Sequence, residues 1–315
     1  MRSVVSSASL SVALVLLAAC GDSGTPAPKS SDGGSAAWRS AVGGGGLFAQ
    51  TFDGASWKSR SVAPGSLFAV ACVGNTVGWT AGERGFVAHT TDGGATWATQ
   101  DAHLPATLRA IRFGTTTSGV VAGDGGALAV TRDGGATWTT ANVTTATLRG
   151  AAVANDAETM LVVGDAGTLL RTRDGGATWS VATIAGGADL RGVAADPSMH
   201  LVLAVDARGG IWSSVDVGAT FVAERASGEP LESVSLAEDG SIALAVGSRG
   251  ALVRRNGAWE RASVPQGAFH AALVSLGTLY AGGDHGALVS SDDGGRTWSA
   301  IAIGSDAPIY GLEDL

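Results

Sequence analysis

Thr90-Thr91-Asp92-Gly93-Gly94-Ala95-Thr96-Trp97 is an octapeptide that returns at residues 131–138, 172–179 and 291–298. A looser copy runs Ser214-Val215-Asp216-Val217-Gly218-Ala219-Thr220-Phe221, and two degenerate copies close at Trp57 and Trp259. The closing aromatics stand at 57, 97, 138, 179, 221, 259 and 298, so the successive steps are 40, 41, 41, 42, 38 and 39 residues. So steady a period means one supersecondary unit repeated, and it decides the fold before local propensity does.

The octapeptide suits a tight turn between antiparallel strands. Its Asp accepts hydrogen bonds from backbone amides ahead of it, and its Gly takes positive φ without a Cβ clash. The closing Trp starts the next strand and sets a large ring between neighbouring sheets, its N–H free to find a partner. These residues resemble the Asp-box, or BNR, repeat of propeller proteins. The resemblance implies a turn between the third and fourth strands of a blade that serves folding, not chemistry. Asp92, Asp133, Asp174, Asp216 and Asp293, with Trp97, Trp138, Trp179 and Trp298, are therefore read as structural.

One period spells out the blade. Residues 67–73, 77–81 and 86–90 are apolar, β-prone runs split by Gly-containing turns, and Trp97 opens a fourth strand. First strands recur near Leu67, Leu108, Leu148, Leu190, Leu231 and Phe269. Residues 37–58 supply the last three strands of a further blade, whose first strand is Pro308-Ile309-Tyr310-Gly311-Leu312-Glu313-Asp314 at the far end of the chain. The expected fold is all-β: a seven-bladed β-propeller of four-stranded antiparallel blades with little or no helix. A C-terminal strand completes the N-terminal blade, which removes the open sheet edges.

The beginning of the chain is not part of that ring. A basic start at Met1-Arg2 precedes an apolar run at 10–19, which ends in Leu17-Ala18-Ala19-Cys20. About ten apolar residues are half of the roughly twenty a membrane-spanning helix needs, and they suit a signal peptide. Leu-Ala-Ala-Cys resembles the bacterial lipobox, which implies cleavage before Cys20 and lipidation of its sulfur. The expected organisation is a lipoprotein signal over 1–19, a lipidated Cys20 with a Gly/Ser/Pro-rich tether over 20–36, and the propeller over 37–315. That organisation implies export, with the propeller anchored to a bacterial membrane on the periplasmic or cell-surface side.

With Cys20 lipidated, Cys72 stands alone and is read as a small buried core residue. No His or Cys spacing suggests a metal, and no cofactor motif is present; His270 and His285 share one blade but lack a third ligand. The net charge of −8 argues against nucleic-acid binding, which needs a basic stripe. Trp212 reads as packing between blades. A closed ring of this size is expected to act as a monomer.

First strands of a propeller line its channel, and the face opposite the boxes carries the second-to-third turns. The position after each first-strand opening aligns as Phe68, Arg109, Arg149, Arg191, Glu232, His270 and Tyr310. The facing turns align as Gly43-Gly44-Gly45, Glu83-Arg84-Gly85, Asp124-Gly125-Gly126, Asp165-Ala166-Gly167, Ala207-Arg208-Gly209, Ser248-Arg249-Gly250 and Asp284-His285-Gly286. Two readings of this polar rim stay open. Arg forks pair with carboxylates two bonds at a time, so Arg109, Arg149 and Arg191 either knit blades together through Glu83, Asp124 or Asp165, or meet a carboxylate-bearing partner.

Leu-Arg followed by small and apolar residues, together with Asp-Gly-Gly-x-Thr-Trp boxes, resembles the photosystem II stability/assembly factor-like propellers. The resemblance implies a protein-binding scaffold or assembly factor without catalysis; nothing in the sequence points to a phototroph. The alternative is a sialidase-like or other glycan-binding or glycan-processing propeller, since sialidases also carry Asp-boxes, three arginines, a Tyr and a Glu. Against it stand the seventh blade, the lack of a Phe-Arg-Ile-Pro-type motif, and a period too constant for wall-building insertions. Other glycosidases need two carboxylates at one cleft, and the ring is read as offering only Glu232.

Overall fold

The computed structural model describes residues 38–314; the signal sequence, Cys20 and the tether read at 1–36 lie outside them. Seven four-stranded antiparallel sheets follow one another. Blade 1 joins the C-terminal strand Ile309–Asp314 to Arg39–Gly43, Leu47–Thr51 and Lys58–Ser61. Blades 2 to 7 open on the inner strands Leu67–Val73, Leu108–Phe113, Leu148–Val153, Leu190–Ala195, Leu231–Leu236 and Phe269–Ser275. All six openings coincide with the expected residues. The described helix consists of single 3-10 turns.

The opening residue of every inner strand is apolar and buried, Leu in five blades, Phe269 in one and Ile309 in the closing strand. The residue after it is a β-bulge in all seven blades. The ladder steps from Leu67 to Ala69, Leu108 to Ala110, Leu148 to Gly150, Leu190 to Gly192, Leu231 to Ser233, Phe269 to Ala271 and Ile309 to Gly311. A bulged residue is left out of the pairing and its side chain is re-aimed. The residues that follow are small because neighbouring inner strands converge there: a Cβ on Gly192 would lie 3.2 Å from the Cα of Ser233 in the next blade.

Between blades the core is aromatic and aliphatic. Trp79 of blade 2 is fully buried and stacks on Phe113 of blade 3 at 3.5 Å, while Trp138 meets Phe113 edge-on. The boxes are the expected turns. Thr96 donates to Asp92 through Oγ1 (2.6 Å) and its backbone N–H (2.8 Å), and Thr90 donates from the other side (2.8 Å). The same bonds recur around Asp133, Asp174, Asp216 and Asp293. Two details differ from expectation. Trp97 precedes its strand, Ala98–Asp101, instead of opening it. The indole N–H groups of Trp57 and Trp298 find carbonyls, but those of Trp97, Trp138 and Trp179 have no partner among the described residues.

Candidate binding funnel

The seven bulged residues Phe68, Arg109, Arg149, Arg191, Glu232, His270 and Tyr310 all line the central channel, which encloses about 600 Å³. In ring order they form two arcs. Arg109, Arg149 and Arg191 occupy blades 3, 4 and 5; His270, Tyr310 and Phe68 occupy blades 7, 1 and 2; Glu232 lies between the arcs on blade 6.

In three blades the bulged side chain meets the turn that follows the second strand of its own blade. Arg109 donates to both carboxylate oxygens of Asp124, and Arg149 reaches both of Asp165, at 2.5 and 2.9 Å. His270 Nε2 stands 2.8 Å from Asp284 in the same way. Donation to the Asp165 carboxylate holds the Arg149 guanidinium above its ordinary pKa. Each pair lies within one blade, so the expectation that these arginines knit blades together is corrected. Glu83 heads the equivalent turn of blade 2, where the ring residue is Phe68; its carboxylate folds against Gly65. In blade 1 the turn is Gly44–Gly46, one residue later than aligned, because the chain enters it from Gly43, which closes the preceding strand.

Arg191 is different. The turn of its blade carries Ala207 where its neighbours carry Asp124 and Asp165. The nearest carboxylate is Asp189, with Oδ2 at 3.8 Å from Nη2, while Asp189 Oδ1 already accepts the backbone N–H of Ala166. Arg191 Nε is buried without a partner among the described residues. A guanidinium is a fork of five donors, and this one is short of acceptors at the mouth of the channel.

The blades are joined instead at the box face. There Arg60, Gln100, Arg132, Arg171 and Arg255 each donate to a backbone carbonyl in the Asp-box of the following blade.

Deeper in the channel lies a pair that sequence reading missed. Arg112 Nη1 donates to the Val70 carbonyl at 2.9 Å and pairs with Glu313 at 3.1 Å, so one side chain joins the inner strands of blades 3, 2 and 1. Glu232 is therefore not the only inner carboxylate: Glu313 shares the channel, with Glu238, Asp239 and Asp314 at its box-face end. Burial pushes the Glu313 carboxyl up to about 7, against the opposing pull of Arg112. A signal was present three residues beyond the ring, where the repeat carries Ala71, Arg112, Ala152, Ala194, Ser235, Leu273 and Glu313, two charges among small or neutral side chains. Cys72 is partly buried near the same pair, not sealed in an apolar core. Burial and the nearby Glu313 and Asp314 carboxylates raise its thiol pKa, which suppresses the thiolate.

Tyr310 and Glu232 lie on blades 1 and 6 with His270 between them, and the Tyr310 ring packs against Phe68 and His270. Trp212 donates its indole N–H to Asp206 and packs, as expected, against a core shared between blades 4 and 5. Among the described residues no His, Cys, Asp and Glu cluster suits a metal.

The family model for photosynthesis system II assembly factor YCF48 matches residues 36–153 and 96–252, more than half of the chain. The chain belongs to the YCF48 photosynthesis system II assembly factor family. A solved structure of YCF48 bound to D1 peptide is 22% identical over 74% of this chain and 80% of its own, with a TM-score of 0.59. YCF48 from Cyanidioschyzon merolae is 17% identical over 86% of this chain and 90% of its own, with a TM-score of 0.62. A protein of unknown function from Desulfotomaculum acetoxidans DSM 771 shares the fold at a TM-score of 0.67, with 10% identity over 89% of this chain and 99% of its own. No curated protein matches. At these identities the solved structures show a shared propeller, and the YCF48 family match agrees with the resemblance read in the boxes.

Proposed function

We propose that this YCF48-family chain is a non-catalytic scaffold or assembly factor that binds a carboxylate-bearing segment of another protein in its funnel, with Arg191 as the anchor. The observation that carries this reading is the acid missing from the turn of the Arg191 blade: Arg109 and Arg149 spend their forks on Asp124 and Asp165, while the equivalent turn position in blade 5 is Ala207 and Arg191 has only Asp189 at 3.8 Å. The peptide-bound YCF48 structure supports a protein partner. The intervening position of His270 between Tyr310 and Glu232 on the ring argues against the activated-tyrosine arrangement that a sialidase-like reading needs. Export and a membrane tether through a lipidated Cys20 belong to the same proposal and rest on the lipobox-like Leu17-Ala18-Ala19-Cys20.

The test is an array of randomised octapeptides, immobilised by their N-termini, probed with the propeller. Wild type and Arg109→Ala should retain a shared set of peptides that Arg191→Ala loses, since removing one partner of a desolvated charge pair costs about 2–5 kcal/mol. Retention of the same set by Arg191→Ala would sink the reading. An empty array alongside hits on a glycan array would favour the glycan alternative.

A further inference from the structure

The outer rim of a propeller is a row of open sheet edges, and such edges pair with other chains unless charge or shortness blunts them. Six of the seven blades blunt theirs. Blades 1, 2, 5 and 6 place Lys58 and Arg60, Asp101, Glu224 and Glu260 in their outer strands, and blades 3 and 7 cut theirs to Thr139–Thr140 and Ser299–Ile301. Blade 4 does neither. Its outer strand Ser180-Val181-Ala182-Thr183 carries no charge and is exposed along its whole length, with Val181 58% exposed. The adjoining rim of blade 5 adds Val215 and Val222, so three of the four large apolar side chains exposed among the described residues stand on this side of the ring.

The backbone register gives this edge a centre. Ile184 donates its N–H to the carbonyl of Gly167, at the head of the third strand Thr168–Thr172, and the groups of an antiparallel strand alternate in direction. Ser180 and Ala182 therefore bond inward, opposite Arg171 and Leu169, while Val181 and Thr183 present their N–H and C=O groups to the outside. An antiparallel strand of the same sequence, related by a two-fold axis through Val181, meets those groups. Val181 then lies opposite Val181 of the second copy, their side chains on one face as a cross-strand pair, and Thr183 lies opposite its Trp179.

We infer that two copies of this chain associate edge to edge through the outer strand of blade 4, joining two four-stranded sheets into one, in place of the monomer expected from ring closure. The self-complementary register favours a second copy over a foreign strand. Charge agrees: in a chain of net charge −8, a neutral edge is where two copies approach at least electrostatic cost. A single short strand covers less than the about 1,200 Å² that a stable interface buries, so the dimer is weak. The contact lies on the outer rim, away from the funnel mouth, and does not depend on what the funnel binds.

Sedimentation of the protein over a concentration series reads the association directly. Wild type should be monomeric at about 1 µM and pass into dimer between about 10 µM and 1 mM, the range of a small, weak interface. Val181→Lys sets like charges opposite each other and should raise that midpoint at least about tenfold. Val222→Lys, which charges an exposed valine outside the pairing, should leave it in place. Melting scans check that both variants fold. A second measurement is independent of added charge. In a Cys20→Ser/Cys72→Ser background, Val181→Cys should cross-link two copies under mild oxidation faster than Val222→Cys, because paired Cα atoms about 5.5 Å apart lie within disulfide reach. Wild type that stays monomeric across the series would overturn the inference, even if the edge took up a strand of another protein. So would a dimer that Val181→Lys keeps, or equal cross-linking through the two cysteines.

Discussion

Arg191 and Ala207 occupy the positions that Arg149 and Asp165 fill in the preceding blade, and where that blade has a two-bond ion pair Arg191 has only Asp189, 3.8 Å away. The two blades share the inner strand, the bulge after the opening Leu and the second strand, but the turns differ: Asp165–Gly167 is a 3-10 turn with Ala166 at φ 56°, whereas in blade 5 Asp206 caps the turn by accepting the N–H groups of Arg208 and Gly210. At the head of the turn Asp165 commits Arg149 to its own blade, and Ala207 leaves Arg191 without that partner.

The first consequence concerns stability. Arg109→Ala leaves Asp124 without its bidentate partner, and Arg149→Ala does the same to Asp165. Arg191→Ala orphans no carboxylate that depends on it, because Asp189 keeps the Ala166 N–H. The first two variants should melt lower than wild type by the equivalent of about 1–2 kcal/mol, and Arg191→Ala should melt close to wild type. Thermal melts of the three side by side check this. Charge reversal at all three arginines together would confound folding with binding.

Closure of the ring should depend on pH through Glu313. Its carboxyl is raised from 4.5 to about 7, so the folded state favours the protonated form. The stabilisation from that proton is complete below 4.5 and is lost as the pH rises through 7. Between pH 5 and 8 wild type should lose up to about 3 kcal/mol relative to Glu313→Gln, which cannot ionise. Parallel melts across that range measure the difference; identical slopes would show that Glu313 is not held protonated.

The box aspartates act with the opposite sign. Hydrogen bonds from Thr96 and Thr90 hold Asp92 near 2, those from Thr172 and Thr178 do the same for Asp174, and Asp53 is lowered to about 2 chiefly by the Ser56 amide. Their contribution is present above the ordinary carboxylate value of 3.8 and disappears as the pH falls toward 2. Tryptophan fluorescence followed into acid should show unfolding beginning below pH ~4, with a shallower acid limb in Asp92→Asn/Asp174→Asn.

Blade 5 stores local strain. Val217 sits at φ 60° where Gly93, Gly134, Gly175 and Gly294 stand in other boxes, and a β-branched residue is disfavoured in that region. Val217→Gly should raise stability by about 1 kcal/mol, the relief of strain exceeding the entropic cost of glycine, as read by chemical denaturation.

The fold was legible because its signals repeat. A buried Leu or Phe opens six inner strands, and seven turns close on aromatics, so an ambiguity in blade 1 or 5 is resolved by its neighbours. The ring positions were legible for the same reason. Asp124 and Asp165 were legible as candidate partners, but that each pair closes within one blade was not, because a bulge cannot be seen in a one-dimensional alignment. Without the bulge nothing directs Arg149 at Asp165 in its own blade, and Ala207 then reads as an ordinary turn residue. Arg112 and Glu313 are more than 200 residues apart in sequence and meet only because the last strand closes the first blade.

The most direct test supplies the missing acid. Ala207→Asp places a carboxylate where Asp124 and Asp165 already hold Arg109 and Arg149, and the turn backbone accommodates Asp at that position in blades 3 and 4. With Arg191 engaged by its own blade, the propeller should keep its melting temperature and lose the octapeptides that wild type retains. Undiminished peptide binding by a folded Ala207→Asp protein would contradict the assignment of Arg191 as the anchor.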